Sequence, residues 1–188
     1  MEWKCSEFKH LSTHELYSIL RARSAVFVVE YAHIHLDIDD KDQGALHIFG
    51  LESDGGSPQV VAYARLLPGN EQEPEVVIDK LLTVSKRRDD DTRDLLMTHA
   101  LAAVQTVWPD HPIHINVSAH LEVFCESLGF RKAVGSLLDH GASCVGMARG
   151  QAQGGHPRER ATVHAARDDA QDFDARGPLH LIDRLGMT

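Results

Sequence analysis

The chain has 188 residues, 43% of them hydrophobic, and a formal net charge of −9. That length supports one well-buried core, a domain of about 150 residues with an appendage, and leaves too little for two full domains. The acidic balance excludes a broad nucleic-acid footprint, which needs a basic stripe, and mildly favours cationic partners. The opening MEWKCSEFKH lacks the outline of a signal peptide, and no run approaches the ~20 apolar residues of a membrane span, so a soluble cytoplasmic protein is expected. Cys5, Cys125 and Cys144 are scattered without a CxxC pair, which points to reduced thiols rather than a disulfide framework or a structural zinc site.

Taken in order, Glu2 to Phe8 reads as a first strand. Ser12 and Glu15 spell a capping box with Leu11 and Leu16 as its staple, which predicts a helix start. Leu16, Ile19, Leu20 and Arg23 continue at helical spacing, and the run Ala25 to Val29 is expected to carry that helix into the interior. A polar connection rich in His and Asp follows. Ala45 to Leu51 and Gln59 to Leu67 are β-like runs about the turn SDGGSP, so a hairpin is predicted.

Val76, Val77, Ile78, Leu81, Leu82 and Val84 read as a buried strand, and Thr92 to Val107 as a helix carrying Leu95, Leu96, Ala100, Ala103, Val104 and Val107. Trp108-Pro109 stops it, because proline disfavours helical geometry in its predecessor. Ile113 to Val117 alternates like a strand. Ala119 to Leu128 reads as a short helix turning Leu121, Phe124 and Leu128 inward, with Gly129 at its end. Val145 to Met147 suggests a last strand. Beyond Gly150 the mixture of small residues and both charges predicts a disordered tail over 151–188, whose closing LHLIDRL is a candidate docking turn or short helix.

The segments ELYSILRARSAVFVVE, AYARLLPG, WPDHPIHI, AHLEVF and LGFRKA, in that order and spacing from Trp3 to about Arg149, resemble the ElaA branch of the GNAT acetyltransferase family. The resemblance implies a single α/β domain over 1–150, a mixed sheet that splays open in its middle, with acetyl-CoA wedged into the cleft. It further implies direct transfer of acetyl to an amine of a small molecule or an exposed amino group, in a monomer or homodimer. Backbone groups of Leu82, Thr83 and Val84 would pair with the pantetheine arm. The loop from Arg88 through Asp89, Asp91, Thr92 and Arg93 would hold the pyrophosphate at a helix N-terminus, where unpaired N–H groups and the dipole attract anions.

That loop departs from the family pattern. Arg88 matches, but Asp89 and Arg93 stand at two glycine positions and Asp91 at a frequent third. A carboxylate about 5 Å from a phosphate charge costs ~1 kcal/mol in water and ~3 kcal/mol at an effective dielectric near 20. Against this, Lys86, Arg87, Arg88 and Arg93 outnumber the three aspartates, and Asp91 reads equally as an ordinary N-cap with Asp89 and Asp90 solvated. Ser118 replaces a family glutamine, and Asp79 replaces a glycine of the central strand. Cys125 stands where the family has a tyrosine that protonates the departing thiolate; the other reading is a small buried helix cysteine.

Glu30 matches the family and is the candidate general base, acting through water, the alternative being a helix-end carboxylate hydrogen-bonded to nearby backbone. Tyr31, His35 and His120 belong to the acceptor side. The alternation His33, His35, Asp37, Asp39 in HIHLDIDDKD would share one face of an extended segment and suit a divalent metal. The EF-hand spacing fails, however, because no glycine follows at the sixth place, and the resemblance already expects acids here, so no metal is assigned. Three functions stay open: an acetyltransferase, a GNAT-fold binding or regulatory protein whose cofactor binding is weak or lost, or a small metal-binding module.

Overall fold

The computed structural model describes residues 1–33, 36–53, 55–139 and 142–150. Seven strands, β1 (Glu2–Glu7), β2 (Leu46–Glu52), β3 (Gln59–Leu67), β4 (Val76–Thr83), β5 (Ile113–Ser118), β6 (Arg131–Asp139) and β7 (Ala142–Arg149), form one sheet in the order β1-β2-β3-β4-β5-β7-β6. Every pairing is antiparallel except β4 with β5. Among the described residues three α-helices accompany it: α1 (Thr13–Arg23), α2 (Thr92–Val107) and α3 (Glu122–Ser127).

The α1 start is the predicted capping box. Ser12 Oγ accepts the Glu15 N–H at 3.2 Å, and Glu15 Oε2 accepts the Ser12 N–H at 2.8 Å, so two of the helix's orphan donors are satisfied reciprocally. Past Arg23 the helix widens into a π-helical segment, Ser24–Glu30, which ends with the Tyr31 N–H donating to the Val26 carbonyl at 2.9 Å. The apolar run here does not enter the interior as expected. Only Val26 is buried, whereas Val29 is 76% exposed, because the wider turn rotates the run off the core face.

The sheet buries both faces. Ile48, Ala62, Ala64 and Leu66 pack on the α2 side with Leu96, Met97, Ala100 and Val104, while Phe49, Leu51 and Tyr63 pack with Ile19, Ala22 and Val26 of the α1 side. The period-2 alternation of strand side chains divides β2 and β3 between these two cores. Within α2 the inward face includes Met97, and Leu95 is 38% exposed, a rotation from the expected stripe. At the end of α3, Gly129 takes φ +88°, and the Phe130 N–H returns to the Cys125 carbonyl, a left-handed termination suited to glycine.

β6 was not expected from the sequence. It begins Arg-Lys, contains Gly135, and meets β7 with two register shifts, so no clean alternation marks it. Among the described residues no helix is long and apolar enough to cross a membrane. The segment 151–188, read as a tail, lies outside the described residues.

Two features of β4 create the site. Tyr63 pairs with Leu82 and Arg65 with Asp79, so two steps along β3 face three along β4: a β-bulge, with Lys80 at φ +50°. On its other edge β4 pairs with β5 only through Val76, Ile78 and the residue between, although both strands continue beyond that point. The sheet therefore parts at its centre.

Candidate active site

The parted strands open onto a cavity of about 810 Å³. One wall is β4 from Val77 to Thr83, and the facing wall is Asn116, Val117 and Ser118 of β5 with His120 and Leu121 beyond it. Phe27, Tyr31 and His33 close it from the end of the π-helical segment, and Arg88 and Arg93 reach it from either side of the α2 start. The cavity thus gathers Leu82, Thr83, Arg88, Arg93, Ser118, Tyr31 and His120 from the sequence expectations. It also gathers His33 and Asn116, which were not assigned to the acceptor site. His35 lies outside the described residues.

Other expected residues are placed elsewhere. Cys125 is fully buried in the α2-side core, and it is not among the cavity-lining residues. Burial pushes its thiol up to about 11, partly opposed by Arg93. The Val84 N–H, expected to meet the pantetheine arm, donates instead to the Val61 carbonyl at 2.9 Å.

Asp89, Asp90 and Asp91 are exposed, and none lines the cavity. Asp91 occupies the N-cap position of α2 without a capping hydrogen bond from its side chain. The neighbouring Asp90 does that work, with Oδ1 accepting the Thr92 N–H at 2.9 Å and Oδ2 accepting from Arg87 at 3.0 Å. Hydrogen bonds from Thr92 and then Arg87 hold the Asp90 carboxyl below its ordinary range. Thr92 itself is buried, and its backbone N–H is committed to Asp90.

Glu30, the candidate general base, ends the π-helical segment. It is not among the cavity-lining residues; its two oxygens grip Arg88 Nη1 and Nη2, the second at 2.9 Å. Arg88 Nε donates to the Thr83 carbonyl at 3.1 Å, and its guanidinium lies 5.4 Å from the Tyr31 ring centroid. The Arg88 hydrogen bond holds the Glu30 carboxyl low, which makes it a weak proton acceptor while the pair persists. Arg93 is held differently, with its guanidinium 5.8 Å from the Phe124 ring centroid.

Beneath the cavity lies a charged layer that the sequence reading did not assemble. Arg65 is 0% exposed and donates from Nη1 to Asp39 at 2.6 Å and Asp42 at 2.9 Å. It also donates from Nη2 to Asp39 at 2.8 Å, and from Nε and Nη2 to Asp79 at 2.8 and 2.7 Å. Arg23, equally buried, holds Asp42 at 2.6 Å and Asp37 at 2.9 Å, while Lys80 holds Asp37 at 2.9 Å. Asp79 thus has a structural reason: it anchors the bulge of β4 to β3.

Burial alone would raise the Asp39 carboxyl, but the hydrogen bonds and charge of Arg65 outweigh it and hold it well below the usual range. Asp37 and Asp39, two of the four residues weighed as a metal-binding face, are thus ion-pair partners of Arg23, Lys80 and Arg65. The available signal was arginine inside the apolar strand AYARLL, since a buried guanidinium demands carboxylates and HLDIDDKD supplies them.

No family model matches this chain. The ElaA protein of Escherichia coli is 34% identical over 151 residues, covering 79% of this chain and 96% of its own length. A UPF0039 protein of Synechocystis is 30% identical over 147 residues, covering 78% and 94%. Among solved structures, Escherichia coli ElaA superposes with a TM-score of 0.72 at 34% identity, over 79% of this chain and 99% of that one. An acyl-CoA N-acyltransferase from Pseudomonas aeruginosa does so with a TM-score of 0.72 at 31% identity and the same coverage. The chain belongs to the ElaA family and is an acyltransferase-type enzyme of the GNAT fold.

Proposed function

We propose that the protein transfers an acetyl group from acetyl-CoA to the amine of a small molecule or an exposed amino group. The observation that carries this reading is the parting of β4 from β5 beside a bulged strand, which leaves a roomy cleft whose lining includes two guanidiniums. The residues fit the cofactor. The edge of β4 at Leu82 and Thr83 faces the cavity for the pantetheine arm, and Arg88 and Arg93 bring two positive charges for the pyrophosphate. Acetyl-CoA, when bound, supplies a thioester activated toward an amine.

At the acceptor end, Tyr31 and Phe27 offer aromatic faces, and the imidazoles of His33 and His120 are cavity-lining groups able to take the amine's proton. The Asp39 and Asp79 carboxylates are tied to Arg65 and serve to fix the wall. Titration calorimetry of the full chain with acetyl-CoA tests the reading. Binding is expected, weakened roughly 10-fold or more in Arg93→Gln by loss of a charge-assisted contact. No heat at millimolar cofactor would end it.

Burial of Cys125 supports a second reading, a GNAT-fold binding protein without transfer, because the side chain expected to protonate the thiolate lies in the core and not among the cavity-lining groups. Release of free thiol in the presence of a panel of amines separates the two. Cofactor binding without thiol release would select the second.

A further inference from the structure

The Glu30–Arg88 pair joins two parts of the molecule that are 58 residues apart in sequence, the end of the π-helical segment and the turn before α2. Its geometry is two-pronged: both carboxylate oxygens meet both terminal guanidinium nitrogens, the same fork that Arg presents to a phosphate. The third side of the guanidinium is used by the Thr83 carbonyl and one face by Tyr31. Arg88 lines the cavity, while Glu30 does not. A carboxylate thus occupies the phosphate-reading edge of a cavity-lining arginine from outside the cavity.

From this geometry, and resting on the reading that a phosphate-bearing cofactor enters this cleft, we infer that Glu30 is an exchangeable internal counter-anion for Arg88. An incoming phosphate takes the fork from Glu30, and the released carboxylate turns to water. Both partners are partly exposed, 26% for Arg88 and 38% for Glu30, so the exchange needs no opening of the core. Glu30 therefore sets the affinity of the phosphate end and competes with it. It is a positioning residue that acts through Arg88, not the base that accepts the amine's proton. Tyr31, adjacent to Glu30 and 5.4 Å from the Arg88 guanidinium, lines the same cavity.

The test is a calorimetric cycle on the full chain with coenzyme A and, separately, phosphate-free pantetheine, for the native protein, Glu30→Gln, Arg88→Gln and the double variant. Exchange predicts that Glu30→Gln tightens coenzyme A about 5- to 30-fold, leaves pantetheine unchanged, and has no effect once Arg88 is gone. An unchanged or weaker affinity in Glu30→Gln overturns the inference, as does an equal gain for pantetheine or a gain that survives in the Arg88→Gln background. If the native protein and all variants fail to bind coenzyme A at millimolar concentration, the acetyl-CoA reading itself has failed and the exchange falls with it. Unfolding midpoints of the four proteins identify any variant whose affinity change reflects lost structure.

Discussion

Replacing Arg65 by methionine removes the guanidinium and keeps an unbranched apolar stem of similar reach. Three carboxylates lose a partner: Asp39, Asp42 and Asp79. Removing one member of a buried ion pair costs about 3–5 kcal/mol, because the charge left behind is uncompensated. Asp42 retains Arg23 at 2.6 Å, so the damage falls on Asp39 and Asp79, whose side chains are 27% and 31% exposed and regain some hydration. The lower end of that range, about 3 kcal/mol, is the expected loss at pH 7, a sizeable part of the 5–15 kcal/mol typical of a domain. Urea denaturation with an unchanged slope measures it.

The gap must also depend on pH. Asp39 is depressed in the folded state, so its contribution is present above the unfolded carboxyl value near 3.9 and is lost as pH falls toward the folded one. The difference between native and variant should be full at about pH 5 and above, and narrow below about pH 4. A loss under about 1 kcal/mol at pH 7, or a gap that stays constant down to pH 3, would refute the claim that Arg65 organises this layer.

Cys125→Ala should leave the rate of acyl transfer within about twofold of native, since the thiol is buried away from the cleft, and cost about 1 kcal/mol of stability for the small void. A rate loss of a hundredfold in a folded variant would restore it as the proton donor. His47 sits buried between the Tyr63 hydroxyl at 2.9 Å and the Asp42 carbonyl at 3.0 Å, and burial chiefly holds its imidazole below the ordinary value. Its contribution is therefore complete above about pH 6.5 and lost as the unfolded chain takes up a proton below it, by up to ~1.4 kcal/mol per pH unit. Urea denaturation between pH 5 and 7 should give a flatter profile for His47→Gln than for the native protein; equal slopes would show that other groups carry the acid sensitivity.

By itself the sequence determined the elements whose signals are local: the Ser12–Glu15 capping box, the hairpin about SDGGSP, the stop at Trp108-Pro109 and the termination at Gly129. Each rests on residues within a few positions of one another, so neighbours suffice to specify it. Its wording also carried the family, and with it the parted sheet. Tertiary structure alone decided β6, which pairs only because β7 returns beside it, and the face of the π-helical run, which a change of helical pitch turned outward.

The site was legible where side chains project from β4 and from the start of α2, and illegible where partners come from distant segments. Asp90 rather than Asp91 caps α2, since the hydrogen bond depends on the turn's path and not on position in a pattern. Glu30 and Arg88 are each visible as charges, but that they hold one another follows from a strand, a helix and a turn converging at one end of the cleft. Electrostatic pairing is a property of distance in space, and sequence order fixes such distances only for groups within a turn or two of each other.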